Sequence, residues 1–303
     1  MAADVAVAGT EFEALTATLR QAGCVFAEDE ACMIIEASGG SRETLQTLVS
    51  RRCAGEPLEV VVGFADFAGL RVAVAPGVFV PRQRTVGLVA LAVNHLASMS
   101  LADRVAVDLG CGTGALAAAL LAELDCEMYA IDNSAAAVAC ARQNLPSATV
   151  LQGDLFSPLP VKLQGRVRVV LANLPYVPTA AIDLLPREAR LYEPLETLDG
   201  GTDGLRPLAR ALGQLSMWLH PDGVYLAEVH ASQLDAAAQL AAEHAYDLRA
   251  DVDPDDGTAL VRITPVHRSS HLADVTGHPI GQPNPQGEEA LLTPGTGDDA
   301  TTT

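Results

Sequence analysis

The stretch 105–114, which reads VAVDLGCGTG, constrains the fold more than any other part of the sequence. Its apolar run predicts a buried strand that ends near Leu109, followed by a tight turn and a helix that starts near Ala115. Three glycines at alternate positions form the turn, namely Gly110, Gly112 and Gly114. Glycine lets a ligand approach the backbone, and a helix N-terminus presents free N–H groups. The stretch therefore predicts a nucleotide-like cofactor site. It also fits the dinucleotide-binding pattern, and a glycine turn without a ligand would show the same letters.

Two later strands place polar groups at the same predicted sheet edge. The run 127–131 ends at Asp132, about twenty residues after the first glycine, where a carboxylate would bind the two hydroxyls of a ribose. The apolar run 167–172 leads directly into the tetrapeptide Asn173-Leu174-Pro175-Tyr176. Among the reactions that a nucleotide-like cofactor can support, this tetrapeptide favours methylation of an amide or amine nitrogen.

An amide or an exocyclic amine is a weak nucleophile, so methylating it requires that its two N–H groups be held by acceptors. The side-chain oxygen of Asn173 and the carbonyl of Leu174 would supply two converging acceptors at a strand end, and Tyr176 would cover the planar group. The nitrogen lone pair could then point at the methyl group of a sulfonium, with rate gained from proximity and orientation. The alternative is a structural turn in which Pro175 ends the strand.

The alternation of strands and helices from Arg104 to about Thr264 predicts a doubly wound α/β sheet. We expect helices at 114–124, 134–144, 205–219 and 231–244, and strands near 105, 128, 149, 168, 224, 247 and 260. Ser134 is placed to cap the second of these helices. The last two strands are joined by too few residues for a crossover helix, so they should pair antiparallel. This arrangement is typical of a Rossmann-like methyltransferase, whereas a dehydrogenase half would usually stay parallel.

Together with the regions before and after the sheet, the sequence predicts four segments. Apolar residues spaced by three and four predict helices over 11–55, so residues 1–57 form a helical, substrate-docking domain. The runs LEVVVG and LRVAVA predict a β-hairpin linker over 58–85, and the methyltransferase domain covers 86–265. Residues 266–303 are rich in Gly, Pro, Thr and acidic residues, which predicts a disordered tail.

The net charge and the cysteine content limit the classes of ligand and partner that the chain can bind. The net charge is −19 and Lys162 is the only lysine, which argues against binding phosphate backbones. The six cysteines include no C-x-x-C pair, so they predict free thiols and no metal site. No secretory leader or long apolar span is evident, and we expect a cytoplasmic protein without a membrane partner.

The chain resembles the protein-(glutamine-N5) methyltransferases, a family that methylates a glutamine in peptide chain release factors, with a close relative acting on a ribosomal protein. The resemblance runs from Arg51 to about Thr264. Its anchors are RRCAGEPLEVVVG, VPRQRT, VDLGCGTG, AIDNS, GDLFS, NLPY, EPLETLDGGTDGL and LHPDGVYLAEV.

The resemblance implies S-adenosylmethionine as cofactor and a protein with an exposed glutamine as partner. It implies a cofactor site made of Arg82, Thr85, Asp108, Gly110, Cys111, Gly112, Thr113, Gly114, Asp132, Asp154, Leu155 and Asn173. Within that set Asp132 would hold the ribose, and Asp154 and Leu155 would lie beside the adenine. The residues implied for catalysis are Asn173, Leu174, Pro175 and Tyr176. Glu193-Pro194 and the stretch 199–201 would shape the mouth of the site.

The sequence departs from the family pattern at two places. Leu174 stands where the family has the first proline of Asn-Pro-Pro-Tyr, which keeps the carbonyl acceptor and gives up the fixed φ of proline. Gln83-Arg84 replaces a proline and an acid. Two other functions stay open: an N6-adenine or other nucleic-acid methyltransferase, which uses a similar motif, and a cofactor-binding protein without turnover.

Overall fold

The computed structural model describes residues 2–266, with side chains from residue 11 onward. The first part of the chain is helical, followed by a small hairpin and one further helix. Its elements are α1 (Ala2–Gln21), α2 (Ala27–Ala37), α3 (Arg42–Cys53), α4 (Leu58–Val62), β1 (Phe64–Phe67), β2 (Leu70–Ala73) and α5 (Gly87–Leu96). The helices predicted over 11–55 are thus present. They pack around an apolar cluster that includes Leu19 and Ile34, both fully buried.

The linker prediction was wrong in one respect, because the run LEVVVG is the helix α4 and not a strand. Pro57 starts the helix with φ −52°, and Gly63 ends it in the left-handed region at φ +85°. The hairpin instead pairs β1 with β2, joined by Ala68 and Gly69, whose φ angles of 50° and 77° are both positive. Two positive φ angles give a turn whose twist matches that of the flanking strands.

Strands and helices alternate through the rest of the described chain. The elements are β3 (Val105–Leu109), α6 (Ala115–Glu123), β4 (Glu127–Asp132), α7 (Ala135–Asn144), β5 (Thr149–Gln152), β6 (Val167–Ala172), β7 (Val177–Pro178), α8 (Arg187–Tyr192), β8 (Asp199–Gly201), α9 (Arg206–Trp218), β9 (Leu219–His230), α10 (Leu234–Glu243), β10 (Tyr246–Val252) and β11 (Thr258–Pro265). The Ser134 hydroxyl accepts from the Ala137 N–H at the start of α7, so the predicted cap is confirmed.

The central sheet has seven strands in the order β10-β11-β9-β6-β3-β4-β5. Five of them run parallel, from β9 to β5, and β11 pairs antiparallel with both β9 and β10. The doubly wound sheet with an antiparallel C-terminal hairpin, predicted from the sequence, is confirmed. The sheet places the carboxyl ends of β3, β4 and β6 side by side, which is where α/β folds bind ligands.

Both faces of this sheet are covered by apolar side chains. Leu109, Ile131 and Tyr225 belong to one buried cluster with α9, while Ala106 and Leu171 belong to another cluster with α5 and α6. Strands buried on both faces read as continuous apolar runs, which is why the sequence indicated them clearly.

No helix within residues 2–266 is long and apolar enough to span a bilayer. The disordered tail predicted for 266–303 lies outside the described residues, apart from Val266. The domain boundaries predicted at residues 57 and 85 stay a prediction.

Candidate active site

A cavity of about 510 Å³ lies at the carboxyl ends of β3, β4 and β6. Most of the residues predicted for the site line it, namely Arg82, Thr85, Asp108, Gly110, Cys111, Gly112, Thr113, Asp132, Asp154, Leu155, Asn173, Leu174 and Pro175. We call it the donor cavity. Of the predicted residues, Gly114 and Tyr176 do not line it. Residues from distant parts of the sequence thus converge, most of them because parallel strands end at one edge.

All three glycines of the loop have positive φ angles, and the space around each of them differs. At Gly112 (φ +54°) an added Cβ would meet nothing within 4 Å, so the backbone itself faces the open cavity. At Gly110 (φ +68°) an added Cβ would lie 2.7 Å from Leu174 Cδ2. At Gly114 (φ +79°) it would lie 2.7 Å from Leu145 Cδ1, so this glycine serves the packing of α6 on α7.

Asp132 holds the glycine loop in place through hydrogen bonds to its backbone. Its two carboxylate oxygens accept from the backbone N–H groups of Gly112 and Ser134, each at 2.9 Å. Burial raises the pKa of Asp132, and those backbone donors counteract the rise. Each carboxylate oxygen has two lone pairs, so both oxygens keep acceptor capacity for hydroxyl groups of a ligand.

Asp108 is a carboxyl group buried at the end of β3. It is 1% exposed, and its Oδ2 accepts from the Ala117 N–H at 3.1 Å. Burial raises the pKa of Asp108 to about 7, and the nearby charge of Asp132 adds to the rise. A positively charged group bound in the cavity would favour its ionised form.

The loop after β5 contributes Asp154 and Leu155 to the donor cavity. Leu155 has φ +48°, in a region that a leucine rarely adopts, and its side chain packs against the main core cluster. Asp154 forms an ion pair with Arg210 of α9. Strained backbone of this kind collects at ligand sites, where the surrounding packing maintains it.

A second cavity, of about 310 Å³, adjoins the first. We call it the acceptor cavity. The two share one wall, made of Phe79, Arg82, Asn173, Leu174, Pro175 and Thr197. Tyr176, the remaining residue predicted for catalysis, lines the acceptor cavity. The tetrapeptide after β6 therefore stands between the two cavities, with the glycine loop on one side and Tyr176 on the other.

A buried carboxylate, Glu228 of β9, organises the floor of the acceptor cavity. Its Oε1 accepts from Arg84 Nε at 2.9 Å and from the Tyr176 hydroxyl at 2.6 Å. Its Oε2 accepts from the Thr85 hydroxyl at 2.7 Å. Burial raises the pKa of Tyr176, and the charge of Glu228 reinforces the rise. The Tyr176 hydroxyl thus stays protonated and serves as a donor.

A second ion pair joins Arg82 to Glu193, whose side chain is 2% exposed. Burial raises the pKa of Glu193, and Arg82 acts against that rise. The two arginines of the 82–84 turn therefore bind carboxylates of the protein itself.

Arg52 of α3 connects the N-terminal helices to the wall of the acceptor cavity. It donates to Glu30 at 2.6 and 3.2 Å and to Glu188 at 2.8 Å, and its own side chain is 13% exposed. The Tyr192 hydroxyl adds a bond to the Ala54 carbonyl at 3.0 Å. Glu188 lines the acceptor cavity, so the helices support the site directly.

Sequence reasoning gave no role to Glu228 or to Gln233. Gln233 Nε2 donates to the carbonyls of Tyr176 and Asp203, both at 2.9 Å, and so fixes the end of the tetrapeptide. Glu228 lies in the anchor LHPDGVYLAEV, and a carboxylate inside the otherwise apolar run 224–229 is a signal that could have identified it.

The donor cavity has the size and the groups that S-adenosylmethionine requires. Its volume lies in the range of about 300–1,000 Å³ that ligand sites occupy. Five carboxylates and three guanidinium groups line it, namely Asp108, Asp132, Asp154, Glu196, Asp199, Arg82, Arg206 and Arg210. Arg206 pairs with Asp199 and Arg210 pairs with Asp154, so the carboxylates that remain give the cavity an excess of negative charge, which suits a sulfonium and an ammonium group. Asp132 retains acceptor capacity for ribose hydroxyls.

Comparison with known proteins agrees with this geometry. Residues 106–194 match a family model described as a methyltransferase domain. The release factor glutamine methyltransferase of Gloeobacter violaceus is 37% identical over 209 residues, which cover 66% of this chain and 71% of that protein. The release factor glutamine methyltransferase of Mycolicibacterium smegmatis is 35% identical over 233 residues, which cover 71% of this chain and 81% of that protein.

A solved structure, the hMettl16 catalytic domain in complex with an RNA hairpin, is 11% identical and has a TM-score of 0.51 over 74% of this chain and 81% of that chain. At that identity the likeness concerns the fold alone. The fold and the donor cavity together define a Rossmann-like, class I methyltransferase that uses S-adenosylmethionine as methyl donor. The predicted cofactor is thereby confirmed. Within that class, the chain belongs to the release factor glutamine methyltransferase family.

Proposed function

We propose that this protein transfers a methyl group from S-adenosylmethionine to the side-chain amide nitrogen of a glutamine in a peptide chain release factor. The observation that carries the proposal is the position of Asn173. It stands in the wall shared by the donor and acceptor cavities, so a group bound to it can face a methyl donor. Relatives named release factor glutamine methyltransferase support the choice of glutamine and of a release factor.

The chain's own residues hold the acceptor. The Asn173 side-chain oxygen and the Leu174 carbonyl accept the two N–H groups of the substrate amide, while Tyr176 lies in the acceptor cavity. Holding both N–H groups orients the nitrogen and supplies most of the rate gain through position. When bound, S-adenosylmethionine supplies a methyl group on a positively charged sulfur, which leaves as a neutral thioether while the amide nitrogen gains the methyl and loses a proton.

The surface around the acceptor cavity suits a protein substrate. Leu184, Leu191 and Leu195 are all exposed, at 85%, 59% and 61%, on the segment that forms one wall of that cavity. Apolar side chains grouped near a site mark a surface that a macromolecule covers. The net charge of −19 opposes binding to a phosphate backbone, which weighs against a nucleic-acid substrate. The cytoplasmic location expected from the sequence stays a prediction.

The test uses a release factor purified from a host that lacks this protein. The full chain is incubated with that factor and with S-adenosylmethionine carrying a labelled methyl group, and tandem mass spectrometry locates the label. We expect one methyl group on a single glutamine side chain. Asn173→Ala should give no label, and Asn94→Ala, which alters an exposed asparagine of α5, should label as the unaltered protein does.

The other outcomes point elsewhere. If the same preparation labels RNA or DNA and leaves every protein unlabelled, the substrate is a nucleic acid. If S-adenosylmethionine binds and no label reaches the release factor or any other protein of the host lysate, the protein binds its cofactor without turnover. Either result contradicts the proposal.

A further inference from the structure

A chain of three polar side chains leads from the buried Glu228 of the acceptor cavity, through Thr85 of the donor cavity, to Asn173 in the wall that the two cavities share. Glu228 is 2% exposed and Thr85 is 2% exposed, and Asn173 at the end of the chain lines both cavities. We propose that Glu228 and Thr85 are positioning residues that fix which way round the Asn173 amide stands, so that its oxygen and not its NH₂ group faces the substrate. The inference rests on the proposed function, because it concerns how Asn173 accepts the substrate amide.

The direction of each hydrogen bond follows from the groups involved. Glu228 pairs with the Arg84 guanidinium at 2.9 Å, and an ionised carboxylate can only accept. The Thr85 hydroxyl, 2.7 Å from Glu228 Oε2, must therefore donate to it. A hydroxyl has one proton, so the Thr85 oxygen can only accept from its other neighbour, and that neighbour is Asn173 Nδ2 at 3.4 Å.

The consequence for Asn173 is a fixed orientation. With its NH₂ group turned toward Thr85, its side-chain oxygen points to the opposite side of the amide. The bond to Thr85 is the single hydrogen bond that the Asn173 side chain makes within residues 2–266. At 3.4 Å it is long, as catalytic hydrogen bonds often are before a substrate binds. Because the two ends of an amide have nearly equal size, packing alone distinguishes them poorly and the hydrogen bond selects between them.

The orientation matters because the two ends of the amide have opposite hydrogen-bonding roles. Turned over, Asn173 would present two N–H donors to the two N–H donors of a primary amide. The substrate would lose one acceptor and meet a repelling group. The Glu228–Thr85–Asn173 chain thus makes the site specific for a group that donates.

Arg84 fits this role, although the resemblance predicts an acid at its position. Its Nε donates to Glu228 Oε1, and its Nη2 donates to the Tyr176 hydroxyl at 3.1 Å. Arg84 and Tyr176 both occupy Oε1, which leaves Oε2 for Thr85. The two oxygens of Glu228 are therefore not equivalent, and a substitution that distinguishes them gives a sharp test.

That substitution is Glu228→Gln. The two donors Arg84 and Tyr176 hold the Gln oxygen on their side, which puts its NH₂ group against Thr85. The Thr85 hydroxyl then accepts from the glutamine and donates onward, so the Asn173 oxygen turns inward. We expect kcat to fall about 10²-fold, the size of effect seen when one polar contact to a reacting group is lost. We also expect the dissociation constant for S-adenosylmethionine to change less than about threefold, a free-energy difference within the scatter of ordinary surface substitutions.

Two variants of Thr85 test the same inference with Glu228 left in place, so a loss of stability in Glu228→Gln does not affect them. Thr85→Val has nearly the same shape and no hydroxyl, so it should lower kcat to a similar extent. Thr85→Ser keeps the hydroxyl and should restore most of the rate. A role for Thr85 in packing alone would instead favour Val over Ser, because Val keeps two branches at Cβ whereas Ser loses a buried methyl group.

A readout that does not depend on activity is the ¹⁵N spectrum of the Asn173 side-chain NH₂ group, assigned by its loss in Asn173→Ala. Its proton resonances should shift in Glu228→Gln and Thr85→Val and stay close to the unaltered position in Thr85→Ser. Unchanged resonances together with an unchanged kcat in Glu228→Gln would overturn the inference. If the unaltered protein methylates nothing, the proposed function fails, and the spectra still determine the orientation.

Discussion

The donor and acceptor cavities meet at Asn173, and they are built in different ways. The donor cavity relies on backbone: positive φ angles at Gly110 and Gly112, and N–H groups bound to Asp132. The acceptor cavity relies on side chains that come from distant parts of the chain. Glu228 and Arg84, which pair there, are 144 positions apart.

This difference indicates how far a substitution in one cavity leaves the function of the other cavity unchanged. A backbone-built site depends on a few local residues, and most of its geometry survives when one side chain is removed. A site built on ion pairs with buried carboxylates loses more, because removing the arginine leaves the carboxylate charge buried and unpaired. Substitutions should therefore separate binding of the cofactor from the methylation step, and the following experiments test that separation.

Asn173→Ala should have the largest effect. It removes one acceptor for the reacting amide, so we expect transfer to fall by about 10²–10³-fold or more. The donor cavity keeps its glycine loop and Asp132, so the dissociation constant for S-adenosylmethionine should change by less than about threefold, as for a surface substitution. Labelled-methyl transfer and titration calorimetry measure the two quantities, with Asn94→Ala as the control. Normal turnover in Asn173→Ala would mean that the amide is not held in this way.

Asp132→Ala should show the reverse pattern. It removes a carboxylate that binds the loop through Gly112 and that has acceptor capacity for hydroxyls of the cofactor. Hydrogen bonds to charged groups contribute about 1.5–3 kcal/mol, so affinity for S-adenosylmethionine should fall about 10–100-fold. At saturating cofactor, transfer should recover most of its rate. Asp29→Ala, which removes an exposed carboxylate from α2, is the control for loss of charge. A similar affinity in both variants would contradict the assignment of Asp132 to the cofactor.

Asp108→Asn tests the charge of the donor cavity through pH. Because the pKa of Asp108 is about 7 in the fold and near 3.8 in the unfolded chain, the folded protein binds one more proton between these values. Its free energy of unfolding without cofactor should therefore fall as pH rises from about 4 to about 7. Asn removes that cost and should raise the free energy of unfolding at about pH 8 by roughly 1–4 kcal/mol.

Urea unfolding at about pH 5 and about pH 8 measures this effect, and it should be small at the lower pH. Affinity for S-adenosylmethionine should increase from about pH 6 to about pH 8 in the unaltered protein, because a cationic ligand favours the ionised carboxyl group. That increase should be weaker in Asp108→Asn. An equal pH dependence in both proteins would place the titrating group elsewhere.

Leu174→Pro should have the smallest effect. The carbonyl acceptor is kept, and proline fixes φ at the position where the family pattern has proline. We expect transfer to change by less than about fivefold, corresponding to the 0.4–1 kcal/mol that such a substitution typically contributes. A gain far above fivefold, measured by the same labelled-methyl assay, would show that leucine at this position holds back the methylation step.

The same contrast explains which features the sequence could predict. The glycine loop, Asp132 and the tetrapeptide after β6 each lie within a few residues of a strand end, so the order of strands was enough to bring them to one edge. The helix α4 was mistaken for a strand because five residues, four of them apolar, are too few to show a period that separates the two structures. Pro57 and Gly63, which bracket it, were the better guide.

The pairing of Arg84 with Glu228 could not be predicted, since no local pattern reports which side chains meet across the fold. Gly114 gives a third case. The sequence marked this residue, and it could not show that a side chain there would meet Leu145, at the end of the next helix. Sequence patterns identify the positions that tolerate little change more readily than the neighbours that impose the limit.

Arg52 limits how the mouth of the acceptor cavity can open. It holds Glu30 of α2 and Glu188 of α8 at once, and Tyr192 adds a second tie between α8 and the residue after α3. A bulky substrate that had to widen the mouth of the acceptor cavity could not push α8 aside alone. It would either break the Arg52–Glu188 ion pair or move the N-terminal helices and α8 together as one rigid unit.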